Sequence, residues 1–312
     1  MGKYKIISGQ NLYDVALHIY GSIEGITDLL ICNPSLSLAD TLLCGQELIY
    51  SDDYVISAEI VAYNRLHGIV PANGERSVYH KEPEYPEIAE IRIPAGVTST
   101  GLSFAGTGAM QIDWGDNSPL QNIILDQRLT TFPHPFDNAV STDRKILIYG
   151  DFRLKQADLT ALNPSTLFFL SPVYIDEFTL RGCRAPLGFL SLLKGTYSLD
   201  LTQVKTRDLL PIVGCRQLMR LDLSHMDVLK ETLDALLIAL VREHYGRRNC
   251  EVILTEYPSG EYREPERDDD LNYVITTGME AVWLLTHEPS WNEGGPWKFM
   301  IADTEYKYRE YE

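Results

Sequence analysis

The chain has 312 residues and a formal net charge of −17, with 44 acidic side chains against 27 basic ones. This balance argues against a nucleic-acid-binding surface, which needs a basic footprint, and against adsorption to anionic membranes. A hydrophobic content of 45% and a charged content of 23% are typical of folded globular proteins, and the length allows two or three domains.

The cysteines and the N-terminal sequence indicate the cellular compartment in which the chain is expected to fold. The five cysteines are odd in number and form no Cys-x-x-Cys pair, which predicts free thiols rather than a disulfide framework or a zinc site. No apolar run has the length of a signal-peptide core or of the ~20 residues that span a bilayer. We therefore expect cytoplasmic synthesis without a signal peptide, and neither a membrane nor a nucleic acid as a partner.

The first predicted unit runs from Lys3 to Tyr50. A short strand, Tyr4–Ile7, leads into a turn, and apolar residues then recur at helical spacing from Leu12 to Ile19. A second helical pattern, from Ile23 to Cys32, stops at Asn33-Pro34 because proline cannot continue a helix. After the next turn the chain returns as a strand. The pattern predicts a strand–helix–helix–strand unit whose two strands pair antiparallel.

Four short motifs in this unit carry a resemblance to a known family. They are Ser8-Gly9-Gln10-Asn11-Leu12, Ile19-Tyr20-Gly21, Asn33-Pro34-Ser35-Leu36 and Gly45-Gln46-Glu47-Leu48. Together they resemble a LysM domain and, more narrowly, the tail protein X family of contractile phages, whose short LysM-type members have an Asn-Pro-x-Leu loop. The resemblance implies a βααβ fold and a place at a tail hub or baseplate, with other tail proteins as partners.

LysM domains that bind glycans use a shallow groove between two loops, which the resemblance places here at Gly9 to Leu12 and at Asn33 to Leu36. Backbone amides and asparagine side chains would bond N-acetyl groups, and leucine would pack on sugar faces. The candidate glycan-binding residues are Gly9, Gln10, Asn11, Leu12, Asn33, Pro34, Ser35 and Leu36. Gln10 stands where the family usually has aspartate, which favours assembly over peptidoglycan binding, and both interpretations stay open.

A linker and a β-rich segment follow. Residues 52–87 are predicted to form a helix-and-loop linker that ends in the proline-rich acidic run Lys81–Glu87. From Ile88 onward, apolar and polar residues alternate between glycines and prolines, which predicts short strands. The motif Asp113-Trp114-Gly115-Asp116 resembles the signature of PKD-like domains, which implies a small β-sandwich over residues 88–150. Its aspartates are expected to cap turn amides, because two carboxylates fall short of calcium's six to eight oxygens.

The last part of the chain contains a repeat. Three segments align with one another: Phe178–Cys183, Leu199–Val204 and Leu221–Met226. Their second apolar residues are 21 and 22 positions apart, and a fourth segment, Val252–Tyr257, comes after an inserted helix. The pattern resembles irregular bacterial leucine-rich repeats. This resemblance implies an α/β solenoid with a C-terminal cap over residues 151–312, in which neighbouring repeats stack to bury their apolar faces.

The sequence contains no recognisable catalytic or metal-binding motif. None of the seven histidines lies in a zinc-binding spacing, and a nucleophile elbow, a phosphate-binding loop and a dinucleotide fingerprint are all missing from the sequence. We therefore expect no enzymatic activity, no cofactor and no metal.

The predicted fold class is accordingly α+β and multidomain: a LysM domain (residues 1–51), a linker (52–87), a PKD-like β-sandwich (88–150) and a leucine-rich-repeat-like solenoid with its cap (151–312). The leading function is a non-enzymatic structural or assembly protein of a phage or prophage contractile tail, which would place the chain in a virion tail. The first alternative is a protein that binds the N-acetylglucosamine of peptidoglycan. The second is a leucine-rich-repeat module for protein–protein interaction.

Overall fold

The structure, a computed structural model, describes residues 1–7, 9–72, 81–116, 118–136, 140, 142–288 and 295–308. The predicted linker is therefore described except for residues 73–80. The chain divides into two units, residues 1–80 with 116–119 and residues 81–115 with 120–312. The helices are α1 (Leu12–Tyr20), α2 (Ile26–Cys32), α3 (Ala58–Leu66), α4 (Lys230–Arg242) and α5 (Gly278–His287).

The strands are short except for two of 15 residues each, β4 and β7. In chain order they are β1 (Gly2–Lys5), β2 (Glu47–Tyr50), β3 (Glu87–Ile93), β4 (Ser99–Asp113), β5 (Gln121–Ile124), β6 (Thr130–Pro135), β7 (Arg144–Asp158), β8 (Thr166–Phe169), β9 (Val173–Thr179), β10 (Leu193–Lys194), β11 (Ser198–Asp200), β12 (Arg220–Leu223), β13 (Glu251–Leu254), β14 (Glu266–Arg267), β15 (Tyr273–Val274), β16 (Lys298–Ile301) and β17 (Thr304–Lys307).

In the first unit, β1 and β2 pair antiparallel, with α1 and α2 between them in sequence and α3 after them. This is the order that the helical and strand patterns predict for Lys3–Tyr50. The core is apolar and consists of Ile6, Leu12, Val15, Ala16, Tyr20, Leu29, Leu42 and Leu48. α1 ends at Gly21, whose φ of 71° is left-handed. Any Cβ at Gly21 would lie 2.2 Å from the Ser57 carbonyl oxygen, so this position requires glycine.

Within the described ranges, no single helix is long and apolar enough to cross a bilayer. The segments Leu12–Tyr20 and Ile23–Cys32 meet the length and composition criteria only together, as a pair bent by 109°.

The second unit is built on a mixed sheet of 13 strands. Its main path runs β17-β16-β13-β12-β11-β9-β7-β3-β8, and β4 joins it through β7 while β5 and β6 pair with β4. β10 pairs with β9, and β14 and β15 form a separate pair. One hydrophobic core extends under the whole sheet and includes side chains from α4 and α5.

The predicted fold class is wrong. The structure is mostly β, with only 23% helix and a single large mixed sheet, which does not fit a LysM domain, a β-sandwich and an α/β solenoid in series. The physical reason lies in β7, which runs across residue 150. It pairs antiparallel with β4 along residues 147–158. Its residues 144–149 pair antiparallel with β3, and its residues 154–158 pair parallel with β9. One strand therefore joins the residues assigned to a sandwich and those assigned to a solenoid.

Two glycines of β4 show why this strand is longer than the sequence pattern indicates. Gly106 and Gly108 look like turn residues in the sequence, yet both lie inside β4, at a register shift against β7. A Cβ at Gly106 would lie 2.3 Å from the Arg153 carbonyl oxygen, and one at Gly108 would lie 2.3 Å from that of Asp151. The glycines permit this close approach of two backbones, as they do at other β-bulges.

The four repeat segments lie side by side in the sheet, as their spacing predicts. Phe178, Leu199, Leu221 and Val252 are in register on the parallel strands β9, β11, β12 and β13, and Phe299 of β16 extends the row. All five side chains are buried. The repeat strands therefore contribute one continuous row of buried apolar side chains to the 13-stranded sheet.

Candidate functional site

Gln10, in the first candidate loop, is turned into the unit and is only 5% exposed. Its Oε1 accepts a hydrogen bond from the Ile7 amide at 3.1 Å, and its Nε2 donates to the Pro71 carbonyl at 2.9 Å. Both ends of the side-chain amide also lie within 3.0 Å of the Tyr4 hydroxyl. The hydrogen-bonding groups of Gln10 are therefore used within the unit.

The rest of the first loop also serves the fold. The Asn11 side chain accepts from the Asp14 amide at 2.9 Å, and the Asp14 carboxylate accepts from the Asn11 amide at 3.0 Å, which forms a capping box for α1. Leu12 is buried in the core. Gly9 has a φ of 83° and no atom within 4 Å of the place where a Cβ would stand. In this loop, the space beside the Gly9 Cα is therefore unoccupied.

Asn33, in the second candidate loop, connects the end of α2 to β2. Its Nδ2 donates to the carbonyl oxygens of Leu29 and Ile49, both at 2.8 Å, and its Oδ1 accepts from the Ile49 amide at 3.0 Å. The side-chain amide thus pairs with the backbone of Ile49 as a neighbouring strand would. Both of its donor hydrogens and its acceptor are engaged inside the unit.

The remaining three candidates differ in exposure. Pro34 and Ser35 are exposed, whereas Leu36 is half-buried and packs on the same core cluster as Leu12. The structure therefore brings Leu12 and Leu36 together in the core. Among the eight candidates, Pro34 and Ser35 are thus the most open to a ligand.

The PKD-like motif is also structural. The Asp113 carboxylate accepts from the Gly115 amide at 2.8 Å and pairs with the Lys81 ammonium at 2.5 Å. Asp116 accepts from the Ser118 amide at 3.0 Å. The prediction that these aspartates cap turn amides is confirmed. Within the described ranges, no group of three or more His, Cys, Asp or Glu side chains is placed to hold a metal ion.

The exposed side of the repeat strands carries a row of polar side chains in register. Glu177, Ser198, Arg220, Glu251 and Lys298 face one another across β9, β11, β12, β13 and β16. We call this row, with the flanking side chains Tyr174, Tyr197 and Met219, the repeat face. The sequence patterns identify the buried partners of these residues but give no reason to single out this row.

Ion pairs connect the charged members of the repeat face. Glu251 lies 3.4 Å from the Arg220 guanidinium and 3.1 Å from the Lys298 ammonium. Lys298 in turn lies 3.2 Å from Glu305, which is 2.7 Å from Lys307 on the edge strand β17. Hydrogen bonds to Glu251 and Glu305 raise the pKa of Lys298, and those from Lys307 and Lys298 lower the pKa of Glu305. Such exposed pairs contribute little stability, but they fix the side chains relative to one another.

Three large exposed side chains flank the charged row. Tyr197 donates its hydroxyl to Glu177 at 2.5 Å, and this bond, with burial and the charge of Glu177, raises the pKa of Tyr197 to about 12. The Arg153 guanidinium lies over the Tyr174 ring at 5.7 Å. Met219 donates its amide to the Tyr197 carbonyl at 2.8 Å, which places it directly beside Tyr197. Tyrosine, methionine and arginine are the residue types enriched at protein interfaces.

An aspartate repeated in the strands shapes the loops beyond the repeat face. Asp158, Asp200 and Asp222 each accept a hydrogen bond from the amide two residues further on, at 2.9, 3.0 and 3.1 Å. Burial pushes the pKa of Asp200 up, but hydrogen bonds from Arg181 and Thr202 outweigh it, and the pKa is lowered. These carboxylates turn the chain out of each strand, as Asx turns do.

The candidate loops and the repeat face differ in the groups that they offer to a partner. In the first unit, the side chains of Gln10, Asn11 and Asn33 are hydrogen-bonded within the unit. In the second, the repeat face presents paired charges and large side chains on a continuous sheet. Comparison with known proteins adds no assignment, because no family model, curated protein or solved structure matches the chain.

Proposed function

We propose that this chain is a non-enzymatic binding and assembly protein, that its repeat face contacts another protein, and that it works in a phage-like contractile tail. The observation that carries the proposal is the repeat face itself, in which Tyr174, Tyr197 and Met219 stand exposed beside a row of ordered charges. The tail setting rests on the resemblance of Lys3–Tyr50 to the tail protein X family.

The physical support for protein binding comes from preorganisation. The tyrosine side chains lose little conformational freedom when a partner covers them, since each has only two side-chain torsions to fix. Arg220, Glu251 and Lys298 are already held by their ion pairs. Polar groups of a partner protein can therefore replace the water around these side chains without changing the side-chain conformations of the repeat face.

Glycan binding by the first unit is the less favoured function. Groups that would have to recognise N-acetyl sugars, the side-chain amides of Gln10 and Asn33, are hydrogen-bonded inside the unit. Engaging a sugar would require breaking those bonds, which costs about 1–3 kcal/mol at the buried Gln10 amide and about 0.5–1.5 kcal/mol at the half-buried Asn33 amide.

The first experiment tests the tail setting and the contact face together. Tail particles from the producing strain are purified on a density gradient, and the chain is quantified in them by mass spectrometry. We expect the chain to co-purify with the particles, and the double variant Tyr174→Ser, Tyr197→Ser to be depleted from them. Tyr245→Ser is the matched control, because Tyr245 is also exposed but lies outside the repeat face. Absence of the wild-type chain from the particles, or equal incorporation of the double variant, contradicts the proposal.

The second experiment tests the alternative. The full chain is sedimented with purified peptidoglycan sacculi, and we expect no more sedimentation than for an unrelated acidic protein. Specific sedimentation that is lost in the double variant Pro34→Ser, Ser35→Asp would instead establish glycan binding. Both residues are exposed, so this variant tests contact without disturbing the core.

A further inference from the structure

A basic concavity lies beyond the ends of the repeat strands, away from the row of charges on the repeat face. It has a volume of about 500 Å³ and opens to solvent. Its lining consists of Arg184, Pro186, Lys205, Thr206, Arg207, Asp208 and Asp227, which follow β9, β11 and β12 in the chain. Three cationic side chains thus converge in a protein whose net charge is −17.

The repeat register places two of these cations side by side. Arg184 follows Leu180 by four positions, and Lys205 follows Leu201 by four, so the two residues occupy equivalent places on adjacent repeats. The Lys205 amide donates to the Cys183 carbonyl at 2.8 Å, which fixes the spacing of the two loops. Adjacent strands lie roughly 4.8 Å apart. The backbones of Arg184 and Lys205, which follow adjacent strands, are therefore neighbours, and two positively charged side chains extend from them.

The lining combines three cations with two carboxylates, Asp208 and Asp227, so its side chains carry a net charge of +1. The side chains of Arg184, Lys205 and Arg207 make no ion pair or hydrogen bond with any described residue, whereas Arg181 nearby is paired with Asp200. One carboxylate oxygen of Asp208 accepts the Leu210 amide at 2.9 Å and so caps the turn that follows. Grouped cations without partners repel one another, and an incoming anion relieves that repulsion.

The shape and chemistry of the concavity identify the class of anion. Guanidinium groups bind carboxylates through two parallel N–H donors, and an ammonium group adds a point charge. The cations are spread over two repeats around an open volume much larger than a single phosphate needs, and Pro186 supplies an apolar wall. We infer that the concavity binds an acidic segment of a partner protein, with carboxylates on Arg184, Lys205 and Arg207.

This inference rests on the proposed assembly function, since it names the kind of segment that a partner presents. Its test uses the full chain and a short polyglutamate peptide, titrated by calorimetry at low and at physiological salt. We expect saturable binding that weakens with salt. Arg184→Gln and Lys205→Gln should each weaken binding about tenfold. Arg242→Gln, which removes an exposed arginine at the end of α4, is the matched control and should leave binding unchanged.

The outcomes separate this inference from the proposed function. No saturable peptide binding, or equal weakening by the control variant, overturns the inference. Inorganic phosphate that binds as tightly as the peptide also overturns it, because the site would then recognise a small anion. If the peptide binds while the chain is missing from purified tail particles, the site stands and the tail function fails. If the chain is present in the particles and the peptide does not bind, only this inference fails.

Discussion

The Tyr20 hydroxyl donates a hydrogen bond to Oδ2 of Asp28 at 2.6 Å, and this pair joins α1 to α2 inside the first unit. Tyr20 is completely buried, and the same carboxylate accepts from the Ser51 amide at 3.0 Å and from its hydroxyl at 2.7 Å. One carboxylate therefore links both helices to the end of β2. Burial, together with the hydrogen bond to Asp28 and its charge, raises the pKa of Tyr20.

Replacing Tyr20 with phenylalanine should destabilise the first unit. The substitution keeps the ring in the core but removes a hydrogen bond to a charged acceptor, a change of about 1.5–3 kcal/mol. Because Ser51 still satisfies Asp28, we expect the lower end of that range. Hydrogen exchange of residues 9–72 in the full chain, followed by mass spectrometry, measures the loss locally. Tyr13→Phe, on the exposed side of α1, is the control, and equal protection in both variants would refute the assignment.

The same network predicts a pH dependence. Burial pushes the pKa of Asp28 up, but hydrogen bonds from Tyr20, Ser51 and Cys32 outweigh it, so the pKa in the folded chain lies below its ordinary value. The stabilisation is therefore present above the unfolded pKa of about 3.9 and is lost as the pH falls through the lower folded pKa.

Asp28→Asn isolates this contribution. The variant should lose less hydrogen-exchange protection than the wild type when the pH is lowered below about 4, because the titrating group is gone. An acid transition of the first unit that is identical in the two proteins would show that other carboxylates control it. Glu24→Gln, an exposed change nearby, serves as the comparison.

Asn33 provides a third prediction, which also separates a structural role from a ligand-binding one. Asn33→Ala removes the side-chain partners of the Ile49 amide and carbonyl and one of the two donors to the Leu29 carbonyl, so we expect a destabilisation of about 0.5–1.5 kcal/mol. Asn33→Asp keeps the acceptor but turns a negative charge towards two carbonyls, so it should be at least as harmful. Ser35→Ala should be neutral in the same exchange measurement. Unchanged protection in Asn33→Ala would contradict the structural role.

Sequence patterns correctly predicted the pairing of strands that are close in sequence, and of strands that recur at a regular interval along the chain. The antiparallel strands around two helices and the register of the four repeat segments appear where the sequence indicates them. In each case the signal is a periodicity or a cap that the segment itself contains. Such a local signal does not show how many strands a sheet contains. For this reason the predicted fold class missed that one sheet spans the two predicted domains.

The failure has a specific physical origin in β7 and β4. An alternating strand shows which of its faces is buried but not which strand lies beside it, so β7 gave no sign that it pairs with β9 as well as with β3. The glycines of β4 and the polar strand β17 were equally uninformative, because tertiary contacts override their local preferences. A strand of polar residues such as Thr304–Lys307 pairs because the apolar strand β16 lies beside it.

The candidate glycan residues show a similar limit. An asparagine before a proline has the same identity whether its amide recognises a sugar or the backbone of Ile49, which is 16 positions further along the chain. Only the proximity of β2 decides between the two. The repeat face was not predicted either, since the periodicity that locates its buried neighbours says nothing about side chains that face solvent.

The last prediction concerns Glu280, which is 2% exposed and caps the start of α5. Its Oε2 accepts from the Thr276 amide at 3.0 Å and from the Thr277 amide at 3.2 Å, and its Oε1 lies 3.2 Å from the Arg263 guanidinium. Burial opposes the charge, but the bonds from Thr276, Thr277 and Arg263 outweigh it and lower the pKa of Glu280. A buried carboxylate held mainly by backbone amides should depend little on its exposed cationic partner.

Glu280→Gln should therefore destabilise the second unit by about 1–3 kcal/mol, because a neutral amide accepts weaker hydrogen bonds from the first turn. Arg263→Gln should cost less than about 1 kcal/mol, since that guanidinium is largely exposed and screened by solvent. Chemical unfolding of the full chain, with exchange protection of residues 276–288 as the local readout, gives both values. A larger effect for Arg263→Gln than for Glu280→Gln would mean that the ion pair, rather than the helix cap, stabilises this end of α5.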